Sequence, residues 1–156
     1  MKENACCFTG HRTLPSNQIE NIIIKLDLEI ENLISKGVTN FISGGALGFD
    51  QIAASLVAAK KEQGRNILLT LALPCKNQDI LWSKKQRYIY RGLLAEANKI
   101  IYVSENYDAF CMKRRNCYMV DHSAYCICAF SQEKSGTGQT IRYACKKGLS
   151  IINVAT

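Results

Sequence analysis

Apolar residues along this chain keep two rhythms: short, largely continuous runs, and longer stretches in which they recur every three or four positions. The short runs, at residues 5–8, 38–42, 66–73, 99–103, 125–130 and 150–154, predict six strands. Thr70 alone interrupts the third run between Ile67 and Leu73, as expected of a strand covered on both faces. Ile19, Ile22, Ile23, Leu26, Ile30, Leu33 and Ile34 mark one side of a helix that Pro15 and Ser16 suit as a start and Gly37 ends. A second helix carries Phe49, Ile52, Ala53, Leu56 and Val57 on one face and ends near Gly64. Residues 77–97 predict a third, with Ile80, Leu81, Ile89, Leu93 and Leu94 inward and a basic stripe outward; helices at about 109–122 and up to Gly148 complete the set. Strand and helix alternate without hairpin signals, so the strands pair in parallel through right-handed crossovers. The expected fold is α/β with three layers and a six-stranded, mainly parallel sheet, in one domain over residues 1–156.

Composition narrows the class. A hydrophobic fraction of 47% and a charged fraction of 21% fit a globular domain with a core of its own. No apolar run approaches the roughly 20 residues of a membrane helix, and the start of the chain lacks a secretory apolar segment, so a cytoplasmic location is expected. Eight cysteines invite a metal or disulfide reading, but none form Cys-x-x-Cys and only His11 and His122 could join them. They read as buried thiols acting as small hydrophobes, with no metal and no cofactor expected. The net charge of +7 comes from short clusters such as Lys84-Lys85-Gln86-Arg87 and Lys113-Arg114-Arg115, a field that attracts phosphates of any kind.

Candidate chemistry gathers where strands end. Thr9-Gly10-His11-Arg12 follows the first strand, Ser43-Gly44-Gly45 with Gly48 the second, and Ser135-Gly136-Thr137-Gly138 the fifth. In an open parallel sheet, ligands bind beyond the carboxyl ends of the strands, near the point where strand order reverses. Glycines at such junctions let a ligand approach the backbone, and the following helix turn offers N–H groups to an anion. The alternative is a set of tight turns in which glycine only permits close packing. Established motifs are missing: Gly44-Gly45-x-x-Gly48 is no G-x-G-x-x-G fingerprint, neither glycine loop ends in Lys-Ser/Thr as a P-loop does, and there is no G-x-S-x-G elbow.

Taken together, Thr9-Gly10-His11-Arg12, Ser43-Gly44-Gly45-Ala46-x-Gly48-x-Asp50, Arg115-Asn116-x-x-Met119-Val120-Asp121, and Gly136-Thr137 before Tyr143-Ala144-x-Lys146-Lys147 resemble the YpsA-like branch of the SLOG superfamily. That superfamily groups the DNA-processing protein DprA with the LOG nucleotide hydrolases. The resemblance covers nearly the whole chain and implies a Rossmann-like fold, self-association, and a small phosphorylated nucleotide-type ligand. LOG enzymes cleave the base from nucleoside 5′-monophosphates with a helix arginine and a glutamate in Pro-Gly-Gly-x-Gly-Thr-x-Glu-Glu. Matching Met112 and Met119 to that helix places Arg115 on the arginine, while matching Gly136-Thr137 puts Gln139 and Thr140 on the two glutamates. A neutral amide cannot stabilise an oxocarbenium-like state, so LOG-type cleavage would need Asp50, Asp121 or Glu133 as the carboxylate.

Single residues keep two readings. Arg115 would hold a phosphate bidentately or belong to a solvated basic run. Asp50 would hold a ribose hydroxyl or simply favour its helix N-terminus. Asn116 and Asp121 would organise the site or pair locally, and His11 and Arg12 sit where a ligand would pass. Three functions compete: a nucleotide or ADP-ribose-like binding domain, an N-glycosidic hydrolase or transferase, and a DprA-like binder of single-stranded nucleic acid on the basic helices.

Overall fold

The structure is a computed structural model that describes residues 1–131 and 135–155; Glu133, one of the carboxylates considered above, lies outside them. After a short 3-10 turn the chain runs β1 (Ala5–Gly10), α1 (Ile19–Ser35), β2 (Asn40–Ser43), α2 (Phe49–Glu62), β3 (Leu68–Leu73) and α3 (Lys84–Glu96). It continues with β4 (Lys99–Tyr102), α4 (Cys111–Asp121), β5 (Tyr125–Ala129), α5 (Gly136–Lys146) and β6 (Ser150–Asn153). The six strands form one parallel sheet in the order β4-β3-β2-β1-β5-β6. From β1 the chain steps outward to β4, then α4 carries it back across the sheet to β5. Strand order therefore reverses between β1 and β5, where Gly10 is in register with Ala129.

Alternation along each strand splits the core in two. Cys6, Phe8, Phe41, Leu69, Leu71, Leu73 and Ile127 face α1, α2 and α3, with Phe8 stacked on Phe41 at 6.1 Å and edge-on to Phe49 at 6.4 Å. Ala5, Cys7, Ile42, Ala72, Cys126 and Cys128 face Met119 and Val120 of α4 and Ala144 of α5. Small thiols on that side fill a layer without a large side chain between sheet and helix. On the other side, the buried Lys60 reaches Asp27 at 2.7 Å and Glu31 at 2.8 Å, while Arg65 holds both oxygens of Glu31 at 2.7 and 2.9 Å. The Arg65 and Lys60 hydrogen bonds bring the Glu31 carboxyl down to about 2 and tie α1 to α2.

Two predicted elements need correction. The first helix begins at Ile19 rather than near Pro15, because the chain first makes a turn in which the Gln18 N–H donates to the Pro15 carbonyl. The third begins at Lys84 rather than residue 77, because Ser83 and Gln86 close a capping box: Ser83 Oγ accepts the Gln86 N–H at 3.1 Å and Gln86 Oε1 accepts the Ser83 N–H at 3.0 Å. Ile80 and Leu81, expected inward, are 61% and 93% exposed, and Ile89 is exposed as well. Strand β1 also extends past Phe8 to Gly10, so Thr9 belongs to the sheet. Replacing the cap, Ser83→Ala, is expected to lower the free energy of unfolding by about 1 kcal/mol in urea titrations, with an unchanged denaturant slope.

Candidate functional site

A cavity of about 260 Å³ opens at the reversal point, beyond the ends of β1 and β5. Thr9 and Gly10 reach it from the end of β1, His11 and Arg12 from the loop that follows, Asp50 from α2, Arg115 and Asn116 from α4, and Gly136 and Thr137 from α5. Residues separated by more than a hundred positions thus share one wall. Ala46, Met112 and Ser135 complete it. Met112 was findable in principle, since it lies one helical turn before Arg115 and so on the same face.

Arg115 is 5% exposed although it carries a charge. Its Nη1 donates to the Gly44 carbonyl at 2.7 Å, its Nε to Asn116 Oδ1 at 2.8 Å, and its Nη2 approaches Met112 Sδ at 3.5 Å. Gly44 leaves the space for this: a Cβ there would fall 2.5 Å from Arg115 Nη1 and 2.8 Å from Asp50 Oδ2. Asp50 is 6% exposed, and burial lifts its carboxyl to about 6 despite the opposing pull of Arg115, the Ala46 N–H and Arg12. Burial likewise lowers the Arg115 pKa, with Asp50 acting against that fall.

The loop between β2 and α2 is closed on the protein's own groups. Ser43 Oγ donates to the Asp50 backbone carbonyl at 2.8 Å and lies 3.2 Å from the Gly45 N–H that donates to it. The first amide of α2, Phe49 N–H, donates to the His11 carbonyl at 3.2 Å. Gly48, at φ 86°, passes so close to the His11 and Arg12 carbonyls that any side chain would overlap them. Ser43, Gly44, Gly45 and Gly48 thus shape the site from beneath and are not part of the cavity wall. At α5, Ser135 Oγ accepts the Gly138 N–H at 3.0 Å, which leaves Gly136 and Thr137 as the first-turn residues on the cavity. His11 is positioned by Phe130, with ring centroids 6.1 Å apart. Asp121 stands at the other end of α4, roughly 9 Å along the axis from Arg115, where Tyr143 Oη donates to it at 2.7 Å. Among the described residues no group of three His, Cys, Asp or Glu side chains could hold a metal, and no helix is long and apolar enough to cross a membrane.

The model of the YspA SLOG family, YpsA for short, matches residues 7–150. The chain belongs to this SLOG family. It is 37% identical over 135 residues to the uncharacterized SPbeta prophage-derived protein YoqJ of Bacillus subtilis (strain 168), covering 78% of this chain and 79% of the relative. Among solved structures, the DNA processing protein A of Helicobacter pylori, described for its single-stranded DNA binding mode, superposes with a TM-score of 0.69 at 20% identity over 96% of this chain. DprA from Streptococcus pneumoniae gives 0.64 at 18% identity over 96%, and TM1055 gives 0.57 at 13% identity over 95%. At those identities the likeness is one of fold. This SLOG chain spans 64% and 50% of the two DprA chains, and 72% of TM1055. At the two positions matched to the LOG glutamates, Gln139 is exposed, while Thr140 is buried with Oγ1 donating to the Gly136 carbonyl at 2.9 Å.

Asp50 makes the site a cost to the fold near neutral pH. Its native pKa is raised, so the folded state holds a proton that the unfolded state releases between about pH 4 and 6. Stability should therefore fall as pH rises through that window, by up to about 3 kcal/mol, and stay low above it. Asp50→Asn mimics the protonated form and is expected to melt at a higher temperature than wild type at pH 7, with the gap narrowing towards pH 4. A gap independent of pH would show an ordinary, solvated carboxylate.

Proposed function

We propose that this protein binds a nucleotide or nucleotide-derived ligand of the ADP-ribose type at the strand-reversal cavity, as a cytoplasmic binding domain. The observation that carries this reading is the buried guanidinium of Arg115 on a cavity wall that also holds Arg12 and the first turn of α5. Of the five N–H groups on a guanidinium, three are engaged within the protein, and the others are suited to phosphate oxygens. The Gly136 and Thr137 amides add the positive end of a helix, and Asp50 is an acceptor for a ribose hydroxyl. The glycine loop after β2 contributes indirectly, by seating Arg115 and Asp50.

The test is thermal unfolding with a panel of nucleoside mono- and diphosphates and ADP-ribose. A true ligand at about 100 times its Kd is expected to stabilise the fold by about 2.7 kcal/mol, and Arg115→Ala should remove the shift. A panel without any shift would end this reading.

A second reading, cleavage of an N-glycosidic bond, is favoured by one observation: Asp50 on the cavity wall has a pKa of about 6, suited to exchanging a proton near neutrality. It supplies the carboxylate that Gln139 and Thr140 lack. Under saturating nucleoside monophosphate, release of free base that Asp50→Asn abolishes, with binding retained, would establish this activity. A protein that binds but releases no base is a receptor only.

A further inference from the structure

The strand-reversal cavity is open on both sides. Met112 stands on its wall and also on the walls of two neighbouring cavities. One, of about 320 Å³, runs between α4 and α5, with Phe110, Cys117 and Tyr143 as its apolar surface and Gln139 and Thr140 as polar edges. The other, of about 530 Å³, is lined by Leu47, Trp82 and Tyr107, and shares Arg12 with the central cavity. Apart from Lys113 and the shared Arg12, neither flank carries a charged lining residue. The charge is gathered in the middle, where Arg12, Arg115 and Asp50 meet, and aromatic surface lies to either side.

Two further features belong to the flanks. Phe110 in the smaller flank and Tyr107 in the larger leave 66% and 64% of their surfaces in water, and Leu81, which lines the larger flank with Tyr107, leaves 93%. In the larger flank, Gln78 is buried with its Nε2 donating to Tyr90 Oη at 3.0 Å, while its Oε1 has no partner. A buried acceptor without a donor is disfavoured, and Gln78 carries that cost beneath the wall of the larger flank.

We propose that the ligand is a dinucleotide: two nucleosides joined through phosphate, with the phosphate between Arg12 and Arg115, one base against Phe110 and Tyr143, and the other against Trp82 and Tyr107. This rests on the nucleotide reading above and extends it. A mononucleotide would fill one flank and leave the aromatic wall of the other wet. A longer polyphosphate would run its charges along walls that offer almost no cations. Met112 suits the junction, since its flexible thioether can pack against either arm while its sulfur stays on Arg115.

The test is calorimetric titration of the whole chain with AMP, GMP, diadenosine diphosphate, diguanosine diphosphate and an oligothymidylate. At least one dinucleoside diphosphate should bind tenfold or more tightly than its own mononucleotide. Phe110→Ala and Tyr107→Ala should each weaken that dinucleotide by about tenfold, whereas the mononucleotide should respond to only one of the two. Both side chains are largely in solvent, so neither change endangers the fold. Equal affinity for mono- and dinucleotide, or a dinucleotide indifferent to either substitution, overturns the inference while leaving the nucleotide reading in place. Tighter binding of the oligothymidylate than of either dinucleotide overturns it in favour of a nucleic-acid strand. Silence from every probe removes both the inference and the reading beneath it.

Discussion

The seating of one guanidinium governs the candidate site of this molecule. Arg115 arises from a helix that has crossed back over the sheet, yet its Nη1 is fixed to the carbonyl of Gly44, on a loop from the far side of the strand-order reversal. A buried charge is tolerated only where partners and opposite charge replace the lost water. Here a carbonyl, an amide oxygen, a thioether and the Asp50 carboxylate take that part. Without this contact α4 would have no polar reason to adopt its register against the β2–α2 loop, and Arg12 would be the one cation left among the described residues of the cavity wall.

Asp50 shows the other half of the same arrangement. Its carboxyl accepts from the Ala46 N–H, its own backbone carbonyl accepts from Ser43, and it remains buried at a free-energy cost near neutral pH. Folds keep such costs where a site uses them. The two residues are therefore best regarded as one unit, a charge pair whose remaining valences turn toward the cavity.

Much of this could be read from the chain alone. Apolar runs between helical rhythms gave the number of the strands and their parallel pairing, because a parallel sheet covered on both faces leaves a plain pattern. Polar and glycine-bearing strand ends share one rim of the sheet, since every parallel strand ends on the same side, and a cavity lies at that rim. Local spacing could not separate residues that touch the cavity from residues that support it. Gly44 and Gly48 look alike as letters, but one yields space to a guanidinium and the other to two carbonyls. Nor could periodicity place the start of α3: Ile80 and Leu81 look like part of the helical pattern, and the reciprocal capping of Ser83 and Gln86 sets the start of the helix after them.

The strand order carries a consequence for how the chain comes together. β1 lies in the interior of the sheet, and one of its two neighbours, β5, is separated from it by most of the sequence. While the chain is being made, β5 is the later of the two partners of β1 to emerge, so one edge of β1, a row of N–H and C=O groups, has its partner last. Unsatisfied edges of this kind invite pairing with strangers. The pairing of greatest sequence separation in the sheet is thus the seam at which its cavity opens.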